Sequence, residues 1–133
     1  MMVSVFIDGA ARGNPGPGGL GVVIYKNGEE NPLREIKGFL GVTTNNQAEY
    51  MALIRALEEL RKFPVKEAKI YSDSQLLIRQ MNGEYRVRHE NLIPLYEKAI
   101  KIVERIPRIT FHFIRREKNK KADKLANMGI DEA

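Results

Sequence analysis

Three acidic residues stand where a carboxylate is better suited to chemistry than to solubility. Asp8 closes the apolar run Val3-Ser4-Val5-Phe6-Ile7, and Asp73 closes a second run, Ala68-Lys69-Ile70-Tyr71-Ser72. In sheets with parallel strands, sites gather at the carboxyl ends of the strands. If these two strands are parallel neighbours, Asp8 and Asp73 stand side by side. Two carboxylates that close repel, and a divalent cation resolves the conflict. Oxygen-only donors favour Mg²⁺ or Mn²⁺ over zinc. Glu49 falls in the first turns of a predicted helix, on the side that carries Ala52, Leu53, Ala56, Leu57 and Leu60. An acid on an apolar stripe is seldom buried unless it is paired or bound to a metal. Plainer readings stand beside these. Glu49 is also an acid at a helix N-terminus, and Asp73 is also a good N-cap. Asp123 lies among lysines on a predicted last helix, where a surface salt bridge is the ordinary explanation.

The elements that must position these acids can be read along the chain. Residues 2–9 and 19–26 read as strands, and residues 33–41 as a third after turns at Asn27-Gly28 and Pro32. Thr44-Asn45-Asn46-Gln47 has the form of a capping box. The helix it opens runs to Lys62, before Pro64. Strand 67–72, helices 74–82 and 91–105, strand 108–114 and helix 119–129 complete the order βββαβααβα. The first three strands are joined as antiparallel hairpins. A right-handed crossover through the first helix makes the fourth parallel to the first. The predicted fold is an α/β, five-stranded mixed sheet with helices on its faces, in a single domain over residues 1–133.

Gly16, Gly18 and Gly21 match G-x-G-x-x-G, a dinucleotide-binding pattern. That motif needs a helix after it, and Val22-Val23-Ile24-Tyr25 reads as a strand instead. The hairpin reading fits better, but a plain hairpin has no need of the acid at Asp8.

Composition narrows the classes. There is no cysteine, which excludes disulfides and thiolate metal sites. The chain carries no apolar run of membrane-spanning length and no signal-peptide layout, so a cytoplasmic monomer with no membrane partner is expected. The net charge is +5 and is uneven. Residues 105–124 hold eight basic residues against Glu117 and Asp123, a surplus larger than that of the whole chain. A basic end suggests an anionic partner such as nucleic acid, or simply a solvated helix face.

Four segments together carry a resemblance: "DGAARGNPGPGG" with Asp8, "TTNNQAEYMALIRAL" with Glu49, "YSDSQLLIRQMNG" with Asp73 and "REKNKKADKLAN" with Asp123. In order and spacing the chain resembles the type 1 ribonuclease H family along essentially its whole length. The resemblance implies a ribonuclease H-like fold and an endonuclease that cuts the RNA strand of an RNA·DNA hybrid. It implies two ions, Mg²⁺ or Mn²⁺, held by Asp8, Glu49, Asp73 and Asp123, and products with 5′-phosphate and 3′-hydroxyl ends. It raises Asp123 from a surface salt bridge to a metal ligand. It assigns recognition of the RNA 2′-hydroxyl to Gly9, Asn14, Asn45, Asn46 and Gln75, with Thr44 and Ser74 either touching phosphate or serving as helix caps. The glycines after Asp8 are expected to let the backbone approach the substrate closely.

Two departures matter. Many family members carry a basic helix-and-loop protrusion after the second helix, whereas here "MNGEYRVRHENL" runs straight into the next one. Arg86, Arg88, Arg115, Arg116, Lys118, Lys120 and Lys121 are the candidates to replace its contacts. Many members also place a histidine in the loop before the last helix, where this chain has Arg115-Arg116-Glu117-Lys118. His112 reads instead as a half-buried strand residue. The alternatives are a broader duplex ribonuclease that also cuts an RNA·RNA duplex, and a non-catalytic nucleic-acid-binding module. A module of that kind is expected to have lost a carboxylate, and all four positions here are acidic.

Overall fold

A computed structural model describes all residues, 1–133. The element order is β1 (Met2–Ala11), β2 (Gly16–Lys26), β3 (Arg34–Thr43), α1 (Asn45–Leu60), β4 (Glu67–Ser72), α2 (Gln75–Met81), α3 (Ile93–Val103), β5 (Arg108–Phe113) and α4 (Lys120–Asp131), with a single 3₁₀ turn over Arg116–Lys118. The predicted βββαβααβα order holds. One five-stranded sheet has the strand order β3-β2-β1-β4-β5. β1 pairs antiparallel with β2 and parallel with β4, so the crossover through α1 places the fourth strand beside the first. No helix is long and apolar enough to cross a membrane.

The hairpin differs from expectation. β1 continues to Ala11 and β2 begins at Gly16, with Ala11 opposite Gly18. Residues expected to form a wide glycine-proline turn are therefore laddered into the sheet. The reason lies in what covers them. In β1, Val3, Val5 and Ile7 turn toward α1 and join the main core with Val22 and Ile24 of β2. The intervening residues turn toward α4. On that face a Cβ at Gly21 would collide with the carbonyl oxygen of Ala122, and one at Gly19 with that of Ala126. Two of the glycines thus bring α4 onto the sheet, which corrects the expectation that they serve a close approach of substrate.

α1 begins as its sequence dictates. Thr44 Oγ1 accepts from Gln47 N at 3.2 Å, and the Gln47 side chain accepts from Thr44 N at 3.0 Å, a closed capping box. Its buried face includes Ala52, Leu53, Ala56, Leu57 and Leu60, packed over β1 and β2. Between α2 and α3, residues 82–92 form turns and no further helix, so the compact connection read from the sequence is present.

Candidate active site

Each acid reaches the site by a different device. Asp8 lies within β1 opposite Gly21, and its side chain turns to the face away from Val5 and Ile7. Glu49 lies in the second turn of α1. A Cβ on Gly9 would strike the backbone of Ala48 and Glu49, so only glycine lets the helix lie this close to β1. In return the Gly9 N–H donates to Glu49 Oε1. Asp73 follows β4 but is not the cap of α2. Ser74 holds that place, its hydroxyl accepting from Leu77 N at 3.2 Å, while buried Ser72 accepts from Ser74 N at 3.0 Å. Two serines do the hydrogen bonding at the start of α2, and the Asp73 carboxylate faces Asp8 instead.

The result is a same-sign cluster. Oxygens of Asp8, Glu49 and Asp73 lie within 4.8 Å of one another. Asp8 and Glu49 are only 5% and 8% exposed. None of the three forms an ion pair with a basic side chain. Asp123 joins them in one cleft of about 450 Å³, with Gly9, Asn45 and Arg116 also on its walls. Asp123 is more open, accepts from Asn127 Nδ2 and lies 3.9 Å from Arg116.

Electrostatics follow from this crowding. Burial, then the charges of Glu49 and Asp73, drive Asp8 far above the usual carboxylate range. Burial pushes Glu49 up to about 8, the Gly9 hydrogen bond opposes it, and the charges of Asp73 and Asp123 add to it. Asp73 is also raised, chiefly by burial. Each shift disfavours the charged carboxylate, and a bound cation would act in the opposite direction. Buried carboxylates, all oxygen donors, with no cationic partner, are the donor set that suits a hard divalent metal.

The other sequence candidates divide. Asn14 and Asn45 form a brace: Asn45 N donates to Asn14 Oδ1 and Ala11 N to Asn45 Oδ1, both at 3.0 Å. Asn46 is exposed one residue further on. Gln75 lies in a separate depression between α2 and β5. Thr44 and Ser74 are both caps. Arg86 and Arg88 are exposed in the 82–92 connection, and Arg86 lines a depression beside Tyr85 and Tyr96. Arg115 and Lys120 are exposed. Lys118 and Lys121 line a small pocket with Phe6 and Tyr25 instead of the cleft, and Lys121 pairs with Glu35 at 3.1 Å. His112 is a half-buried strand residue stacked on Tyr71. Four cleft residues were not foreseen, Ala10 and Ala11 by their backbone position and Arg12 and Asn127 by their polar side chains. Asn127 follows Asp123 by one helical turn, a signal present in the spacing. Arg12 sits in the hairpin turn and carries no such signal.

A family model described as reverse transcriptase-like matches residues 6–129. A ribonuclease H of Legionella pneumophila is 37% identical over 147 residues, covering 99% of this chain and 99% of that protein. The chain belongs to the type 1 ribonuclease H family. Similarity extends to the bifunctional protein Rv2228c of Mycobacterium tuberculosis, at 39% identity over 100% of this chain, which spans only 36% of that longer protein. Among solved structures, LC11-RNase H1 in complex with an RNA/DNA hybrid superposes with a TM-score of 0.92 at 45% identity, covering 98% of this chain and 97% of that one. The family's fold is therefore the one that the strand order and the helix packing build here.

Proposed function

We propose that this chain is an endoribonuclease that hydrolyses the RNA strand of RNA·DNA hybrids, using two divalent ions, Mg²⁺ or Mn²⁺, and leaving 5′-phosphate and 3′-hydroxyl ends. The observation that carries this reading is the set of buried Asp8 and Glu49 with half-buried Asp73, none of them ion-paired, and Asp123 on the same cleft. These four carboxylates hold the ions. When bound, two such ions supply an activated water for in-line attack and a counter-charge for the leaving oxygen. The resemblance of the fold to LC11-RNase H1, whose structure holds a hybrid, supports the substrate class.

The chain's own groups do the rest. RNA is told from DNA by its 2′-hydroxyl, displayed in the wide minor groove of a hybrid. Gly9, Asn14, Asn45, Asn46 and Gln75 read it. The brace supports this role, because the side-chain oxygens of Asn14 and Asn45 are taken by backbone N–H groups and their amide donors are left free. The Gly9 N–H is spent on Glu49, so Gly9 meets the hydroxyl through its carbonyl. Thr44 donates its hydroxyl proton to Gln47, so Ser74 is the better phosphate donor of the two caps. Exposed Arg86, Arg88, Arg115, Arg116, Lys118 and Lys120 attract the phosphate backbone, with Lys121 joining if it leaves Glu35. Binding that rests on such contacts weakens steeply with salt.

The test is cleavage of an end-labelled hybrid with Mg²⁺, with Mn²⁺ and with chelator, beside RNA·RNA and DNA·DNA duplexes. Metal-dependent cutting of the hybrid's RNA strand alone is expected. Equal cutting of RNA·RNA would move the assignment to a broader duplex ribonuclease. Retained binding with no cutting under either metal would make the chain a binding module.

A further inference from the structure

The fourth acid, Asp123, is held differently from the other three. It is more open than Asp8 and Glu49, and its nearest cation, Arg116, lies at 3.9 Å on a side chain that is 80% exposed. An exposed pair at that separation positions little. A second contact comes from its own helix. Asn127 Nδ2 donates to the Asp123 carbonyl at 3.0 Å and reaches Asp123 Oδ1 at 3.4 Å. The longer contact is weak by itself, so the question is what keeps the amide turned that way.

Arg12 does. It projects from the turn between β1 and β2 and places Nη2 3.3 Å from Asn127 Oδ1 and 3.5 Å from the Asn127 carbonyl. Its Nη1 is anchored by Asp131 Oδ1 at 2.6 Å. An amide has one accepting end and one donating end, and a guanidinium can only donate. With Arg12 on Oδ1, Asn127 must present Nδ2 to Asp123. Both residues line the cleft with the four acids. The relay Asp131–Arg12–Asn127–Asp123 thereby ties the glycine-rich hairpin, which carries Asp8, to the helix that carries Asp123.

We propose that Asn127 is a positioning residue for Asp123, its amide oriented by Arg12, and that the pair sets how well the fourth carboxylate meets the metal. This rests on the reading that Asp123 belongs to the metal set. Residues that orient metal ligands change affinity by roughly 10- to 100-fold when removed. A purely structural side chain, bonded only to its own helix, would change melting and leave metal affinity alone.

The experiment is a calorimetric Mn²⁺ titration of the substrate-free protein, with melting curves, for wild type, Asn127→Ala, Arg12→Ala and the double variant. Asn127→Ala is expected to weaken Mn²⁺ binding about 10-fold. Arg12→Ala is expected to weaken it less, and the double variant no more than Asn127→Ala, because Arg12 acts through the amide. Unchanged affinity in Asn127→Ala, or a loss in the double variant equal to the product of the two single losses, would overturn the proposal. Arg12 has a side chain 47% exposed, so its variant folds and decides the matter alone if Asn127→Ala does not: unchanged affinity there also overturns it. Wild type that binds Mn²⁺ yet leaves the hybrid uncut would sink the substrate reading and leave the relay intact. Wild type that binds no Mn²⁺ would contradict the metal reading and the relay with it.

Discussion

Glu49 and Glu59 are the same residue type, on the same buried side of the same helix, 8% and 4% exposed. Their surroundings are opposite. Glu59, near the C-terminal end of α1, is met by Arg55 at 2.9 Å, Lys62 at 3.0 Å and Arg34 at 3.5 Å. Burial alone would raise its pKa, but the hydrogen bonds from Lys62 and Arg55 outweigh it and hold the group below its ordinary value. Glu49, at the other end, stands beside Asp8 and Asp73 with no cation, and burial, with the charges of Asp73 and Asp123 added, pushes it up to about 8. One end of the helix neutralises its acid with the chain's own cations. The other end gathers acids and leaves the neutralising charge to be supplied from outside, which is the physical signature of a metal site.

The largest expected difference is in rate. Glu49→Gln should slow hybrid cleavage on the order of 10³-fold, the scale on which lost electrostatic stabilisation of a transition state is felt. Glu59→Gln should leave the rate within about 2-fold, since it removes a pair remote from the cleft. Parallel single-turnover rates on one labelled hybrid check both, and equal losses would erase the distinction between the two ends.

The next contrast is in pH. A raised acid contributes stability that is fully present below its unfolded value, 4.5 for Glu49, and is lost as pH rises through about 8. A depressed acid does the reverse: the contribution of Glu59 is present above 4.5 and is lost as pH falls through its lowered value. Metal-free Glu49→Gln should therefore gain on wild type as pH rises from 4.5 to 8, with saturating Mn²⁺ closing the gap in favour of wild type. Glu59→Gln should lose ground to wild type at pH 7 and approach it in acid. Melting temperatures with and without chelator check the four curves.

Smaller effects sharpen the account. Gly9→Ala forces α1 away from β1 and should destabilise the fold by about 1–3 kcal/mol, as overpacked sites do, while weakening Mn²⁺ binding because Glu49 moves with the helix. Glu59→Gln should cost only ~1 kcal/mol at neutral pH, since all three of its cations keep part of their side chain in solvent. Denaturant unfolding measures both, and a larger loss from Glu59→Gln than from Gly9→Ala would contradict the ranking.

Much of the site was legible because strands and stripes are periodic. Asp8 and Asp73 closed apolar runs, and the crossover rule made those runs neighbours. The apolar stripe singled out Glu49, but the same stripe passes through Glu59, and periodicity alone does not separate them. What separates them is Arg55 one turn before Glu59 and Lys62 one turn after, against Asp8 and Asp73 brought in by the sheet. The role of the glycines was hidden for a related reason. Gly9, Gly19 and Gly21 matter because two helices lie on the strand backbone at those points, and a local pattern does not show which helix returns to which strand. Ser74 displaced Asp73 from the cap because two adjacent residues both suit that position, and only the backbone conformation of Ser74 decides between them.

The most direct test of the central claim is the cleavage rate of Asp73→Asn against wild type on an end-labelled RNA·DNA hybrid in Mg²⁺, with melting curves to confirm that the variant is folded. The variant keeps the shape of the side chain and removes the charge. If the unpaired carboxylates are a metal site, the folded variant loses cutting of the RNA strand by on the order of 10³-fold. A folded Asp73→Asn that cuts at the wild-type rate, or a wild type whose cutting is indifferent to chelator, would show that the acid cluster is not what cleaves.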